Sequence, residues 1–361
     1  MSNTYVDKRD ADNVEKLEKI LDNDLPDFCR EYFVGISSTT TTLTRLNYAY
    51  DIRTFFNYLV TKIHRLKGKS TTDISTVDIE NLSPYEIEAY LNYVEIYRDS
   101  NGNIVKNSAR GKGRKLAAIR SLIKYFEKKQ EIRFNPTASV DTPKLRDKEI
   151  IRLEGDEIGA MLDVVDTGEG LSPRQQKYQE NTRLRDLAIV SLLLGTGIRV
   201  SELVGIDVND VNFKDLSFVV TRKGGARVIL YFSDEVAGYL YDYYRLRTAD
   251  KTLKSEPALF LSLQKKRITT RAVENIVKKY SAVATPLKHI TPHKLRSTYG
   301  TQLYRSTGDI YVVADVLGHK DVNTTKRHYA AITDDIRRNA STKVKLRSNV
   351  DDIKNDKESN E

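Results

Sequence analysis

Between Thr291 and Ile332 the chain reads TPHKLRSTYGTQLYRSTGDIYVVADVLGHKDVNTTKRHYAAI. Thr291-Pro292 is a helix start, a cap followed by a first-turn proline. Asp309 caps IYVVADVL, and Gly318 ends it. Asn323 or Thr324 opens a further helix, TKRHYAAI. The stretch is therefore expected to be three helices. On them His293 and Arg296 stand three residues apart, Leu317-Gly318-His319 follows, and Tyr329 comes ten residues after His319. Upstream lie Arg199 in GTGIRVSEL (195–203) and Lys223 in TRKGGAR (221–227). Two arginines, a lysine, two histidines and a tyrosine make a set suited to attacking a phosphodiester without a metal.

This ordered set resembles the catalytic domain of the tyrosine recombinases, the phage integrase and Xer-like family. The family pattern is an arginine in T-G-x-R-x-x-E-L, a lysine in a β-hairpin, H-x-x-R, L-G-H, and a tyrosine about ten residues later. Arg199, Lys223, His293, Arg296, His319 and Tyr329 fill the positions in order. A lone HxxR or LGH would carry little; the ordered set is specific. The resemblance implies a mainly α fold with a small β-hairpin or sheet (α+β). A helical core-binding domain would precede the catalytic domain.

Working outward from the motif, the chain divides as follows. Residues 1–36 are acidic and polar, an N-terminal extension in which Val14, Leu17, Ile20 and Leu21 mark a short helix. Residues 37–134 form the expected DNA-binding domain. The Thr-rich GISSTTTTLT leads into a helix with Leu46, Tyr50, Phe55, Phe56 and Leu59 as its stripe. Ser83-Pro84 starts a helix expected to reach Tyr97, and Asn101-Gly102 marks a turn. Ser108 caps ARGKGRKLAAIRSLIKYFEKK, with Leu116, Ile119, Ile123 and Phe126 facing a core. Its basic residues Arg110, Lys112, Arg114, Lys115 and Arg120 read either as a solvated face or as contacts to a DNA backbone. Residues 135–149, with two prolines and no periodicity, are the linker.

The catalytic domain is expected over 150–340. It starts with a helix over 154–165 and a polar loop, DTGEGLSPRQQKYQEN (166–181). LRDLAIVSLLL then forms a buried helix ended by Gly195 and Gly197. SFVVTR and RVILYF form a hairpin about Gly224-Gly225, and ALFLS (258–262) a brief strand. Ser233 or Asp234 starts a helix with Val236, Leu240, Tyr243 and Tyr244 inward, and Arg271–Tyr280 is another. Residues 341–361 read as a charged, disordered tail. Ala330, Ala331, Ile332 and Ile336 suit either a neighbouring subunit or their own domain.

Composition agrees with a polyanionic partner without proving one. The net charge is +9, with 39% hydrophobic and 30% charged residues. No apolar run approaches the ~20 residues of a membrane span, so no membrane is expected as a partner. The opening MSNTYVDKRDADN has no secretory pattern, and a cytoplasmic protein is expected. The one cysteine, Cys29, rules out an intramolecular disulfide and reads as a small buried residue. The sequence has no GxxxxGK[ST], HExxH or GxSxG, so neither cofactor nor metal is expected.

The chemistry follows from the side chains. Arg199 and Arg296 are suited to holding the non-bridging oxygens of a phosphodiester, whose charge grows in the transition state. Lys223 is the candidate proton donor to the departing 5′-oxygen. His293 could orient or deprotonate the nucleophile, His319 could donate to a non-bridging oxygen, and Glu202 would position a neighbouring basic group. Tyr329 is the candidate nucleophile, since an aryl phosphate ester preserves the energy of the broken bond. With 21 tyrosines in the chain, Tyr299 and Tyr304 read as packing residues, and His289 as structural. The resemblance adds a 3′-phosphotyrosine intermediate and a tetramer of this chain on two double-stranded DNA sites. It also allows for accessory DNA-bending or directionality factors.

Two roles within the family compete, mobile-element integration and excision or Xer-type resolution of replicon dimers. The segments 99–108 and 166–180 look like additions to a typical Xer chain, which favours integration. Outside the family's activity stand a catalytically inactive DNA-binding protein and a type IB topoisomerase.

Overall fold

The computed structural model describes residues 5–99, 101–144, 151–222, 225–318 and 322. The chain forms two compact units, Met1–Lys148 and Glu149–Glu361. It is mainly helical with two small antiparallel sheets.

In the first unit the helices are α1 (Tyr5–Asn23), α2 (Phe28–Gly35), α3 (Thr42–Lys62), α4 (Thr76–Glu80), α5 (Pro84–Tyr93) and α6 (Ala109–Lys128), with the ribbon β1 (Ile96–Arg98) and β2 (Ile104–Lys106) between α5 and α6. One apolar core runs through it, built on Tyr32, Phe55, Phe56, Tyr90 and Phe126. Leu17, Ile20 and Leu21 of α1 share that core, so residues read as an extension are packed into the bundle from its first helix. The face of α1 is rotated from the expected one: Val14 is 39% exposed, and Asn13 is buried, donating to Thr42 Oγ1 at 3.3 Å. Tyr50 likewise leaves the stripe of α3, at 38% exposure. Cys29 is buried, and burial pushes its thiol up, away from reactivity.

Local chemistry sets the ends of these elements. Ser83 accepts from the Glu86 amide, and Glu86 accepts from the Ser83 amide at 2.8 Å, a reciprocal cap on α5. The helix stops at Tyr93 instead of Tyr97, because Ile96–Arg98 pairs with Ile104–Lys106 across the Gly102 turn. Gly102 has φ +80°, which glycine adopts without strain.

In the second unit the order is α7 (Gly155–Thr167), α8 (Pro173–Thr196), α9 (Val200–Leu203), β3 (Val211–Asn212), β4 (Ser217–Thr221), β5 (Arg227–Tyr231), α10 (Asp234–Ala249), α11 (Thr270–Ala284), α12 (Pro292–Thr307) and α13 (Ile310–Leu317). The expected hairpin is β4–β5, with Val219 opposite Ile229, and β3 extends it to three strands. The expected strand at 258–262 forms only isolated bridges, Asp207 with Ala258 and Leu261 with Arg267. The expected loop over 166–181 is a loop only from Gly168 to Ser172, since α7 runs on to Thr167. From Pro173 it is the first part of α8, started by Ser172 and Gln175 capping one another.

Helix α8 is the hub. From Asp186 to Leu194 it is buried on every face, packed by α7, α10, α11 and α12. The carboxylate of Asp186 is fully buried and accepts from Tyr280 Oη at 2.8 Å, Arg185 at 2.8 Å, Thr182 at 3.0 Å and Lys279 at 3.2 Å. Four donors on one buried carboxylate offset its loss of water and fix α11 against α8. Gly195 lies inside α8, where a Cβ would come within 2.5 Å of Val236 Cγ2. Close helix packing therefore explains Gly195, and Gly197 alone is the left-handed end, at φ +61°. Among the described residues no helix is long and apolar enough to cross a membrane.

Candidate active site

Arg199 follows the left-handed Gly197 and is the N-cap of α9. Its amide donates to Glu202 Oε2 at 2.9 Å and its Nη1 to Glu202 Oε1 at 2.7 Å. Glu202 is buried, so one carboxylate both caps the short helix and orients the guanidinium. The Nη2 of Arg199 donates to the carbonyl of Gly318 at 3.1 Å. The side chain keeps 36% of its surface exposed, with donors to spare.

Arg296 comes from the second turn of α12 and is buried, at 6% exposure. Its Nη1 donates to the Gly197 carbonyl at 2.6 Å and its Nη2 to the Leu317 carbonyl. The two guanidiniums therefore meet at one place. They sit on successive carbonyls, Leu317 and Gly318, at the turn where α13 ends. Carbonyls at a helix C-terminus lack intrahelical donors and carry the negative end of the dipole, so they hold cations well. Gly318 makes this turn at φ +61°.

His293 lies on the exposed side of the first turn of α12, one turn before Arg296. Helix α12 is itself fixed by Thr298, whose Oγ1 accepts from the Leu153 amide at 3.0 Å. Tyr299 packs with Leu303, Tyr304 and Ile310 around Val313 and Leu317, and burial raises its phenol above the ordinary value. A phenol held neutral in an apolar cluster is a packing group. Lys223, His319 and Tyr329, together with Ala330, Ala331, Ile332, Ile336 and the tail 341–361, lie outside the described residues.

One residue that sequence reasoning passed over joins the group. Arg222, beside Lys223, donates from Nη2 to the Val316 carbonyl at 2.9 Å. In the sequence it is an ordinary cation at a strand end. Its acceptor lies 94 residues away, and no local pattern announces it.

The basic residues of α6 divide by environment. Arg110 is exposed. Lys112 pairs with Glu95 at 2.5 Å, and Arg114 with Asp51 at 2.7 Å. Arg120 donates to Thr142 Oγ1 at 2.7 Å and to the Val140 carbonyl, holding the chain that leaves the first unit. Lys115 does not belong with them. It is 5% exposed and donates to the buried carboxylate of Asp51 at 3.0 Å, so it is a buried ion-pair partner and not a surface cation. Burial pushes the Asp51 carboxyl up, against the pull of Lys115 and Arg114.

Residues 152–335 match the phage integrase family. The tyrosine recombinase XerS of Lactococcus lactis subsp. cremoris (strain MG1363) is 31% identical over 352 residues, covering 91% of this chain and 97% of its own. The tyrosine recombinase XerC of Caldanaerobacter subterraneus subsp. tengcongensis is 33% identical over 288 residues, covering 77% and 75%. Among solved structures, the XerH site-specific recombinase, in a post-cleavage complex with a palindromic difH substrate, superposes with a TM-score of 0.66. It is 16% identical and covers 94% of this chain and 90% of its own, a likeness of fold.

Proposed function

Because the chain belongs to the tyrosine recombinase family, also called the phage integrase family, we propose that it cuts and rejoins double-stranded DNA at specific sites through Tyr329. The phenolic oxygen attacks the scissile phosphorus and the bond from phosphorus to the 5′-oxygen breaks. The products are a 3′-phosphotyrosine and a free 5′-hydroxyl. Lys223 donates the proton that the leaving oxygen needs. His293 orients or deprotonates the tyrosine. His319 and the guanidiniums of Arg199 and Arg296 hold the non-bridging oxygens. Glu202 keeps Arg199 aimed. Attack by a 5′-hydroxyl from a second duplex reverses the step and completes strand exchange, within a tetramer on two sites in the cytoplasm. Arg110 contacts the phosphate backbone, and Lys112, Arg114 and Arg120 do so by exchanging their present partners for phosphate.

The observation that carries this reading is the pair of guanidiniums fixed on the Leu317 and Gly318 carbonyls, at the turn that leads into His319. Preorganised donors of this kind are commonly the largest contribution to catalysis. The added segments of the chain favour integration and excision of a mobile element. The end-to-end match with XerS favours the second reading, resolution of replicon dimers.

Covalent trapping tests the reading. Purified protein is mixed with nicked duplexes tiled across DNA flanking its own gene and across the source chromosome, in EDTA, and denatured in SDS. A protein–DNA adduct is expected with the wild type and none with Tyr329→Phe. A site flanking the gene supports integration; a single site elsewhere on the replicon supports dimer resolution. Tight binding without any adduct would leave an inactive DNA-binding protein, and relaxation of supercoils without a preferred site would point to a topoisomerase.

A further inference from the structure

Arg222 bridges two parts of the second unit. Its backbone closes the β4–β5 turn: its amide donates to the Ala226 carbonyl at 2.8 Å, and its carbonyl accepts from the Gly225 amide at 3.0 Å. Its side chain reaches the end of α13, donating to Val316 O at 2.9 Å and lying 3.5 Å from Asp315 O. The guanidinium also fills the space a side chain at position 318 would need, since a Cβ on Gly318 would come within 2.3 Å of Nη1 and 2.5 Å of Cζ. The Nε is buried and, among the described residues, has no hydrogen-bond partner. A donor left without a partner costs stability, so the side chain is held here by its other contacts. With Arg222 counted, three guanidiniums occupy the carbonyls from Val316 to Gly318.

We infer that Arg222 is a positioning residue that pins the β4–β5 turn, and with it the adjoining Lys223, to the same helix end that holds Arg199 and Arg296. The inference rests on the reading of Lys223 as proton donor. A flexible lysine on a hairpin has many rotamers, and a general acid must lie within hydrogen-bond reach of the atom it protonates. A short connection from the turn to the Val316 carbonyl, next along the chain to the Leu317 and Gly318 carbonyls that hold Arg296 and Arg199, would set that reach.

Two measurements on the full-length protein test it, with Arg222→Gln, Arg222→Lys and Lys223→Ala. The first needs no DNA: amide hydrogen exchange over residues 217–231 and 310–318. Arg222→Gln is expected to speed exchange in both stretches, Arg222→Lys less so, and Lys223→Ala in neither. The second is the rate of adduct formation on the duplex mapped by trapping, with either oxygen or sulfur at the bridging 5′ position. A thiolate leaves without a proton, so loss of the general acid slows only the oxygen substrate. Arg222→Gln is expected to slow that substrate by about 10- to 100-fold, within the range general acids contribute, and to leave the sulfur substrate nearly unchanged. Unchanged exchange would overturn the pinning. Faster exchange with equal losses on both substrates would overturn the link to Lys223. If wild type forms no adduct on either substrate, the recombinase reading fails, and the exchange experiment still decides the pinning.

Discussion

Lys115 and Arg114 are neighbours on α6 and share one carboxylate, yet only their burial distinguishes their tasks. Lys115 is 7% exposed in its side chain and Arg114 49%, both on Asp51. Removing one member of a buried pair leaves a charge without compensation, which typically costs about 3–5 kcal/mol. Lys115→Met leaves Asp51 only the half-exposed Arg114 and is therefore expected to lower the unfolding free energy of the first unit, read by urea unfolding, by less than that amount, and Asp51→Asn added to it to restore most of the loss. Arg110→Ala, at an exposed position, is expected to leave the midpoint alone and to flatten the dependence of DNA affinity on salt by about one phosphate contact. The sequence showed the basic residues of α6, and it could not show which of them is inside. The partner of Lys115 is 64 residues away, and charge alone says nothing about burial. Arg199 and Glu202 were legible as a pair because three residues of one short helix hold them together.

At the scale of the element, the bend between α8 and α9 depends on Gly197. Its φ is +61°, and a Cβ there would come within 2.4 Å of Tyr299 Cδ1 and 3.0 Å of Leu317 Cδ2. Its carbonyl also holds Arg296. Gly197→Ala is expected to cost about 1–2 kcal/mol from the backbone conformation alone, with more from the collision, read by thermal or urea unfolding. It should also lower the rate of covalent trapping, because Arg296 loses a fixed acceptor. Caps were the most legible features of the sequence: Ser83, Ser108, Ser233 and Asp309 all act within one turn. Helix lengths were less so. The end of α5 is decided by a strand pairing across a turn, and the start of α8 lies in a stretch whose polarity disguised it. Gly195 and Gly197 look alike in sequence and differ only in what packs against them.

For the whole molecule, the first unit has a core of its own, closed by Ile132 and Val140 after α6. A fragment covering 1–144 is accordingly expected to unfold in a single cooperative transition, followed by circular dichroism, and to bind duplex DNA without forming a covalent adduct. A fragment that stayed unfolded would show that the core needs the second unit. The mainly α plan with its small sheet was readable from motif order and periodicity together. The gathering of three arginines on the last turn of α13 was not, because it is made of contacts to backbone carbonyls, which leave no mark on residue identity.

That gathering also has a consequence in time. The arginines are at 199, 222 and 296, and the successive carbonyls that hold them come later, at 316–318. A ribosome adding about 5–20 residues per second makes Arg199 roughly 6–24 s before the Gly318 carbonyl, 119 residues on. Throughout that interval the first unit is already complete. The corner where the three guanidiniums gather does not yet exist. If the 1–144 fragment binds duplex DNA as expected, a nascent chain would occupy its target before the corner that serves cutting is built.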